Sequence, residues 1–357
     1  MTYLEIDNLV KEFGDLTAVD DISFTVDEGE FVTVVGPSGC GKTTTLRMIA
    51  GLEEPTAGTI RIRGDDITAL PAYERDIGVV FQDYALFPHK TVFENIAFGL
   101  KMRGESEARQ EEAVEEMLRI INLEGYEDQY PHECSGGEQQ RVAVARALAF
   151  DPDLVLMDEP LSNLDKKLRQ SMRTELKRIQ RETGVTTIYV THNQTEALSM
   201  GDNIAVLNDG RLEQFGDPKA AYQDPDTPFV ADFLGQSSQV SGTFRHNGSG
   251  PEVVSDTGTS ISVTPKDDVT DGDDVEVFLR NELLSLADGE TNGANVFEGE
   301  VRNVDYQGSD VNYFVSVPSL DATVMVSATA GMQQTTFSEG TPVDLAIDPA
   351  DIIYTHP

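Results

Sequence analysis

The chain has 357 residues, 63 of them acidic against 26 basic, with a formal charge of −37 and a pI near 4.2. Such a chain repels phosphate backbones, which excludes nucleic acid as its main partner. Its 39% hydrophobic content, with strand-like and helix-like patterns along most of the length, excludes a disordered polymer. The acid excess is diffuse: residues 1–236 hold 22 basic and 43 acidic side chains, and residues 237–357 hold 4 and 20. Diffuse carboxylate with little lysine suits solubility in concentrated salt, where screening relieves self-repulsion, and predicts a halophilic cytoplasm. Cys40 and Cys134 are too few for a disulfide framework and fit a reducing compartment. No signal peptide is expected at the N-terminus, and no apolar run approaches the ~20 residues of a membrane span.

In chain order, residues 1–236 alternate short β-rich runs with helical patterns, the sign of an α/β layer fold. Phe31–Val35 is apolar almost throughout, as a central strand covered on both faces would be. It runs directly into Gly36-Pro37-Ser38-Gly39-Cys40-Gly41-Lys42-Thr43-Thr44, which matches G-x-x-x-x-G-K-[ST] and precedes a helical pattern over 45–50. That strand–loop–helix context is the one a phosphate-binding loop requires. Its glycines let backbone N–H groups converge on phosphate oxygens, and the helix N-terminus adds partial positive charge. Lys42 is expected to reach the β- and γ-phosphates, and the Thr43 hydroxyl to ligate Mg²⁺.

A second apolar run spans Ile77–Phe81, after which strands stop between Gln82 and Asp151. Glu105–Ile121 reads as an amphipathic helix with Ala113, Met117, Ile120 and Ile121 on one face, so a helical insertion of about 83–152 is expected between two strands. Cys134-Ser135-Gly136-Gly137-Glu138 opens a helical pattern over 139–150. Ser135-x-x-Glu138 is a capping-box spacing, which predicts that Glu138 points back to the helix backbone. Leu154–Met157 is an apolar strand ending in Asp158 and Glu159, adjacent acids able to serve different partners: Asp158 for Mg²⁺, Glu159 for the attacking water. Residues 166–183 carry seven Lys or Arg. Leu168, Met172, Leu176 and Ile179 recur there at helical spacing, so the cations read as the solvated face of a packed helix. Further strands are expected at Thr186–Val190 and Ile204–Leu207.

Beyond residue 236 helical periodicity disappears and short alternating strands such as Val275–Leu279 take over. Gly272–Val277 with Glu282 and Leu284 resembles Gly340–Leu345 with Ala350 and Ile352, 68 residues on. A duplicated β module in a separate domain, residues 237–357, follows.

At Cys134–Glu138 the sequence resembles the ATP-binding subunits of ABC transporters, whose signature is usually Leu-Ser-Gly-Gly-Gln. The resemblance covers residues 1–235. Gln82 ends a strand as the family's Q-loop glutamine does, Ser162-Asn163-Leu164-Asp165 looks like the D-loop, and His192 follows a strand as the switch histidine does. Phe13 stands where the family stacks an aromatic ring on adenine. The resemblance implies an α/β P-loop ATPase with a helical insertion, ATP and Mg²⁺ as cofactors, and a head-to-tail dimer of identical or closely paralogous subunits. Each ATP would lie between one subunit's Phe13, Val19, Ser38, Gly39, Cys40, Gly41, Lys42, Thr43 and Thr44 and the partner's Ser135, Gly136, Gly137, Glu138 and Asp165. Thr43, Gln82 and Asp158 would hold Mg²⁺; Glu159, His192, Gln82 and Lys42 would carry hydrolysis. Cys134 and Glu138 depart from the signature; Cys134 is expected as a small apolar contact.

Residues 237–357 look similar to the paired OB-like (TOBE) modules of maltose-, polyamine- and iron-type import ATPases, with Arg280-Asn281-Glu282 in place of the usual Arg-Pro-Glu. That implies two integral membrane permease subunits, an extracellular solute-binding protein acting indirectly, and a place on the cytoplasmic face of the membrane. Residues 81–89 also resemble this branch, and residues 164–169 and 187–192 lean toward its polyamine-type members, while sugar, ferric iron or an anion stay open as solutes. A soluble ABC ATPase outside transport is the alternative, disfavoured by the single phosphate loop. The β domain reads either as a regulatory module or as one for dimerisation and stability.

Overall fold

Strand side chains alternate between faces, and in the central strands of this chain both faces are apolar. In the computed structural model, which describes residues 2–247, 250–266, 268–287, 295–329 and 337–357, the chain divides into two compact units, Met1–Pro218 and Lys219–Pro357. The division falls before residue 236, the boundary expected from composition. Helix α9 (Pro228–Leu234) of the second unit explains part of this, because its Ala231 packs with Phe278 and Ile353 of the β region.

The strands of the first unit are β1 (Thr2–Phe13), β2 (Leu16–Asp27), β3 (Phe31–Val35), β4 (Ala57–Ile62), β5 (Asp65–Asp66), β6 (Ile77–Val80), β7 (Leu154–Asp158), β8 (Thr186–Thr191), β9 (Asn203–Asn208) and β10 (Arg211–Gly216). Its helices are α1 (Lys42–Ile49), α2 (Val92–Ile96), α3 (Phe98–Met102), α4 (Glu107–Ile120), α5 (Gly136–Leu148), α6 (Lys166–Thr183) and α7 (Gln194–Met200). Six strands form a sheet in the order β10-β9-β3-β8-β7-β6, parallel except for the β9–β10 hairpin. Alternation splits its side chains between two cores. Phe31, Val155, Met157 and Tyr189 face the helical insertion, packing with Val114, Leu118, Val142 and Val144. Val32, Val34, Leu154, Leu156, Ile188 and Val190 face the other way, onto α1 and a second sheet.

That second sheet, β2-β1-β4-β5, is antiparallel and was not anticipated from the sequence. Its strands mix buried and exposed residues, and register shifts along the β1–β2 pair blur the alternation that would have marked it. Between β6 and β7 the described residues form no strand, as expected for a helical insertion. Helices α1 and α5 begin three residues earlier than the patterns over 45–50 and 139–150, because backbone geometry continues through Lys42-Thr43-Thr44 and Gly136-Gly137-Glu138.

The second unit holds α8 (Pro218–Gln223, starting at the division), α9 (Pro228–Leu234), β11 (Ser237–Asn247), β12 (Gly250–Ser255), β13 (Ser260–Ser262), β14 (Asp274–Arg280), β15 (Ser285–Ala287), β16 (Asn295–Tyr306), β17 (Asp310–Val317), β18 (Ala322–Thr329), β19 (Pro342–Ile347) and β20 (Ile353–Thr355). Two antiparallel sheets run β13-β12-β11-β14-β20 and β15-β19-β16-β17-β18. The sequence repeat falls on β14 and β19, and the strand following each joins the sheet of the other: β15 pairs with β19, β20 with β14. One hydrophobic core, including Val253, Val277, Leu279, Val315, Val326 and Leu345, serves both sheets.

Arg280 ends β14 with no exposed surface. Its guanidinium lies 4.1 Å from the Tyr222 ring and its Nη2 donates to the Tyr222 carbonyl at 2.9 Å. A Cβ on Gly235 would sit 1.1 Å from Arg280 Nη1. The Gly235→Ala substitution must therefore displace a buried cation and is expected to cost about 2–4 kcal/mol, comparable to severe overpacking. Urea unfolding followed in the second unit checks this; a midpoint matching the parent's would refute the packing described.

Candidate nucleotide-binding site

Parallel strands place their carboxyl ends on one edge, where the loops of an open α/β sheet gather functional groups. Here β3 leads into the glycine loop, β7 ends in Asp158, and β8 ends at Thr191, just before His192. The loop's glycines are required by space and conformation. A Cβ on Gly36 would lie 2.1 Å from the Leu207 carbonyl oxygen, and Gly41, at φ +96°, would bring one to 2.5 Å from that of Ala18. Gly41 caps α1, whose first-turn N–H groups carry no partner within the helix.

Lys42 is buried, and its Nζ donates to the carbonyls of Gly36 (2.9 Å) and Pro37 (2.8 Å), which curls the loop around the ammonium. Ser38 and Gly39 are exposed, Thr44 half-buried. Cys40 is buried beneath the loop, and burial pushes its thiol up against the lowering pull of Lys42. Thr43 Oγ1 donates to Asp158 Oδ1 at 3.1 Å. Burial, reinforced by the neighbouring Glu159 and opposed by the Thr43 hydrogen bond, raises the Asp158 carboxyl above its ordinary range. Two hard oxygen donors so close fit Mg²⁺, which takes one or two protein oxygens and completes its shell with phosphate and water. Among the described residues no group of three or more His, Cys, Asp or Glu could hold a metal ion, consistent with so sparse a donor set.

Glu159 follows at φ +43°, a left-handed backbone that costs a non-glycine residue about 1–2 kcal/mol. Its N–H donates to the Val190 carbonyl at 3.0 Å, and its carbonyl accepts from Ser162 N (3.1 Å) and Oγ (2.9 Å). The side chain is thereby aimed at His192, whose Nδ1 lies 2.9 Å from Glu159 Oε2. A carboxylate hydrogen-bonded to an exposed imidazole is a competent base and proton relay. The loop bearing His192 is fixed by Glu196, which sequence reasoning missed. This buried carboxylate accepts from Tyr189 Oη and Thr191 Oγ1, both at 2.8 Å. The Asn193-x-x-Glu196 spacing at the start of α7 was the available signal.

Gln82 is exposed just past β6, and its carbonyl accepts from Asn163 Nδ2 at 3.0 Å, linking it to the segment after Glu159. Phe13 is 47% exposed at the β1–β2 hairpin, with Lys11 Nζ 4.8 Å from its ring centroid. Val19, by contrast, is fully buried with its methyl against Gly41, supporting the loop from below. Asp165 caps α6, its Oδ1 accepting from Lys167 N and Leu168 N at 3.0 Å each. Thus Lys42, Thr43, Asp158, Glu159 and His192 gather at one sheet edge. Ser135, Gly136, Gly137 and Glu138 lie at the N-terminus of α5 and make no hydrogen bond with that group among the described residues. Glu138 does point back, its Oε2 accepting from Ser135 N and Oγ at 2.7 Å each. Cys134 is buried in the helical core.

Comparison with known proteins matches residues 19–162 to the ABC transporter family and residues 277–354 to the TOBE domain. The chain is 44% identical over 326 residues to the spermidine/putrescine import ATP-binding protein of Trichodesmium erythraeum, covering 89% of this chain and 86% of the relative. It is 51% identical over 234 residues to an Fe(3+) ions import ATP-binding protein of Rhizobium meliloti, covering 66% of each. Among solved structures, cbiO1 of Clostridium perfringens, part of an ABC transporter complex, superposes with a TM-score of 0.57 at 28% identity, over 61% of this chain and 90% of that one. An ATP-binding cassette solved as a dimer with ADP and Pi superposes with a TM-score of 0.53 at 33% identity, over 60% of this chain and 98% of that one.

The raised Asp158 carboxyl means that its charge is disfavoured in the fold, a penalty that sets in as pH rises through the carboxylate range and is complete above it. Asp158→Asn is therefore expected to raise the thermal midpoint without nucleotide at neutral pH. The gain should vanish in acid below that range, where both side chains are neutral. Calorimetry across pH checks both signs.

Proposed function

The chain belongs to the ABC transporter family of ATPases, and we propose that it is the ATP-hydrolysing subunit of a solute import complex. The observation that carries this reading is the pairing of two contacts at one sheet edge, Thr43 with Asp158 and Glu159 with His192, beside the Lys42 loop. The import direction draws on the relatives that act in spermidine/putrescine and Fe(3+) uptake and on the TOBE match. Residues 1–236 form the working ATPase cassette, with a helical subdomain about 83–152, and residues 237–357 a β domain of two OB-like modules.

Phe13 stacks on the adenine, the loop from Ser38 to Thr44 cradles the phosphates, and Val19 sets the loop's floor. Thr43, Gln82 and Asp158 would hold Mg²⁺, which would neutralise phosphate charge. Glu159 accepts the proton of the water that attacks the γ-phosphorus; the bond to the β-bridging oxygen breaks and ADP leaves. His192 orients Glu159 and donates to the γ-phosphate, and Lys42 stabilises the charge on the transferred group. A second copy, or a close paralogue, closes the site with its Ser135-Gly136-Gly137 helix N-terminus and the segment ending at Asp165. The identical copy is the simpler arrangement.

No helix among the described residues is long and apolar enough to cross a membrane. On the import reading, the assembly works from the cytoplasmic face through two permease subunits, fed by an extracellular binding protein. Residues 84–87, following Gln82, are the docking surface for the permease. Arg146 holds this segment, donating to the carbonyls of Ala85 (2.6 Å) and Tyr84 (2.8 Å). The solute is polyamine-like, in keeping with the relatives covered along most of this chain.

Glu159→Gln is expected to lower ATP turnover at least 100-fold while leaving ATP bound, with the subunits trapped as a dimer; light scattering with and without ATP measures the latter. The trapped variant should recover a polytopic permease from solubilised membranes, and recovery of soluble partners alone would overturn the import reading. A charge of −37 also predicts salt-dependent stability. The thermal midpoint should climb steadily from 0.1 M to about 2 M KCl, and a flat profile would remove the halophilic reading.

A further inference from the structure

Helix α5 opens with Ser135-Gly136-Gly137, of which Ser135 and Gly136 are exposed and Gly137 is buried, and with one acidic side chain, Glu138. A carboxylate at this position favours the helix dipole but repels a phosphate approaching the same N-terminus. Its contacts show where the charge is held. Oε2 accepts from Ser135 N and Ser135 Oγ, and Oε1 accepts from Tyr126 Oη at 3.0 Å. Tyr126 reaches in from the turn that follows α4, with its N–H donating to the Leu123 carbonyl at 3.2 Å and its ring half-buried against the helical core. The Ser135 hydrogen bonds, with help from Tyr126 and Arg141, hold the Glu138 carboxyl below its usual range, so the charge is present at working pH.

Ser135 has one hydroxyl proton, and a phosphate oxygen must compete with Glu138 for it. When the hydroxyl turns to phosphate, Glu138 keeps two donors, the Ser135 N–H and Tyr126 Oη. Resting on the ATPase reading above, we propose that Tyr126 is a positioning residue: its hydroxyl parks the Glu138 carboxylate on the helical-subdomain side, freeing Ser135 to engage the γ-phosphate. Without it, the carboxylate retains one backbone donor, competes for the Ser135 hydroxyl and stands closer to the phosphate.

Steady-state ATP hydrolysis at high KCl, measured for the parent, Tyr126→Phe, Glu138→Gln and the double variant, tests this. Phenylalanine preserves the ring packing, so only the hydroxyl is removed. Tyr126→Phe should raise KM for MgATP about three- to tenfold, in the range of one ordinary net hydrogen bond, with a smaller change in kcat. In the Glu138→Gln background the same substitution should leave KM within about twofold, since no charge remains to be parked. An unchanged KM in Tyr126→Phe, or an equal loss in both backgrounds, overturns the assignment. A parent protein that neither binds nor hydrolyses ATP instead overturns the ATPase reading itself, and the two failures are read from different samples.

Discussion

Parallel pairing among β3, β8 and β7 is the constraint on which the site depends. Its register sets Val35 opposite Thr191 and Asp158 opposite Val190, so three chain segments, the first more than a hundred residues from the other two, end at the same edge. Each strand is buried on both faces, which fixes the register firmly: a slip of one residue would exchange the side chains bound for the two cores. The polar groups therefore sit where the apolar runs stop. Glu159, immediately past that limit, adopts a left-handed backbone held by the Val190 carbonyl and by Ser162. The strain is local and the scaffold over-determines it, the pattern expected where geometry serves chemistry.

Helix α5 carries a second constraint. Its N-terminus presents Ser135 and the two glycines, and near its other end Arg146 grips the carbonyls of Tyr84 and Ala85, both at positive φ. At 1.5 Å per residue the helix spans about 20 Å, a strut between the Ser135 turn and the loop that follows Gln82. Asn95, buried and bonded to both the N–H and the carbonyl of Phe87, braces that loop from α2. Hydrogen bonds thus tie the loop to α5, and the Gln82 carbonyl to Asn163 in the segment after Glu159.

What could be read in the sequence follows from this architecture. Strands buried on both faces leave continuous apolar runs, and the glycine loop has a spacing that few other structures need, so the sheet, the loop and the acids at Asp158 and Glu159 were legible. The capping box at Ser135 was legible too, because it is local. The antiparallel sheet was not, since register shifts interrupt its alternation. Tyr126 escaped because its partner, Glu138, lies across a turn and no spacing rule connects them. Val19 and Asp165 show the limit of motif transfer: a motif gives position along the chain, whereas burial and capping, decided by neighbours, determine what the side chain touches.

The second unit obeys a different logic, that of duplication with exchange. Gly272 and Gly340, at φ +100° and +80°, occupy matching turns: their N–H groups donate to the carbonyls of Phe244 (2.9 Å) and Val301 (2.8 Å), the central strands of the two sheets. Reciprocally, Phe244 N and Val301 N donate to the carbonyls of Asp273 (2.8 Å) and Thr341 (3.0 Å). Each repeat then surrenders its last strand to the other sheet, β15 to β19 and β20 to β14. Without the exchange each sheet would leave an edge of β14 or β19 unpaired beside an apolar core. With it, neither repeat has a complete sheet of its own, and the shared core makes the two modules one folding unit. The described acidic side chains of this region can then stay out of the buried interior, which is supplied jointly by both repeats.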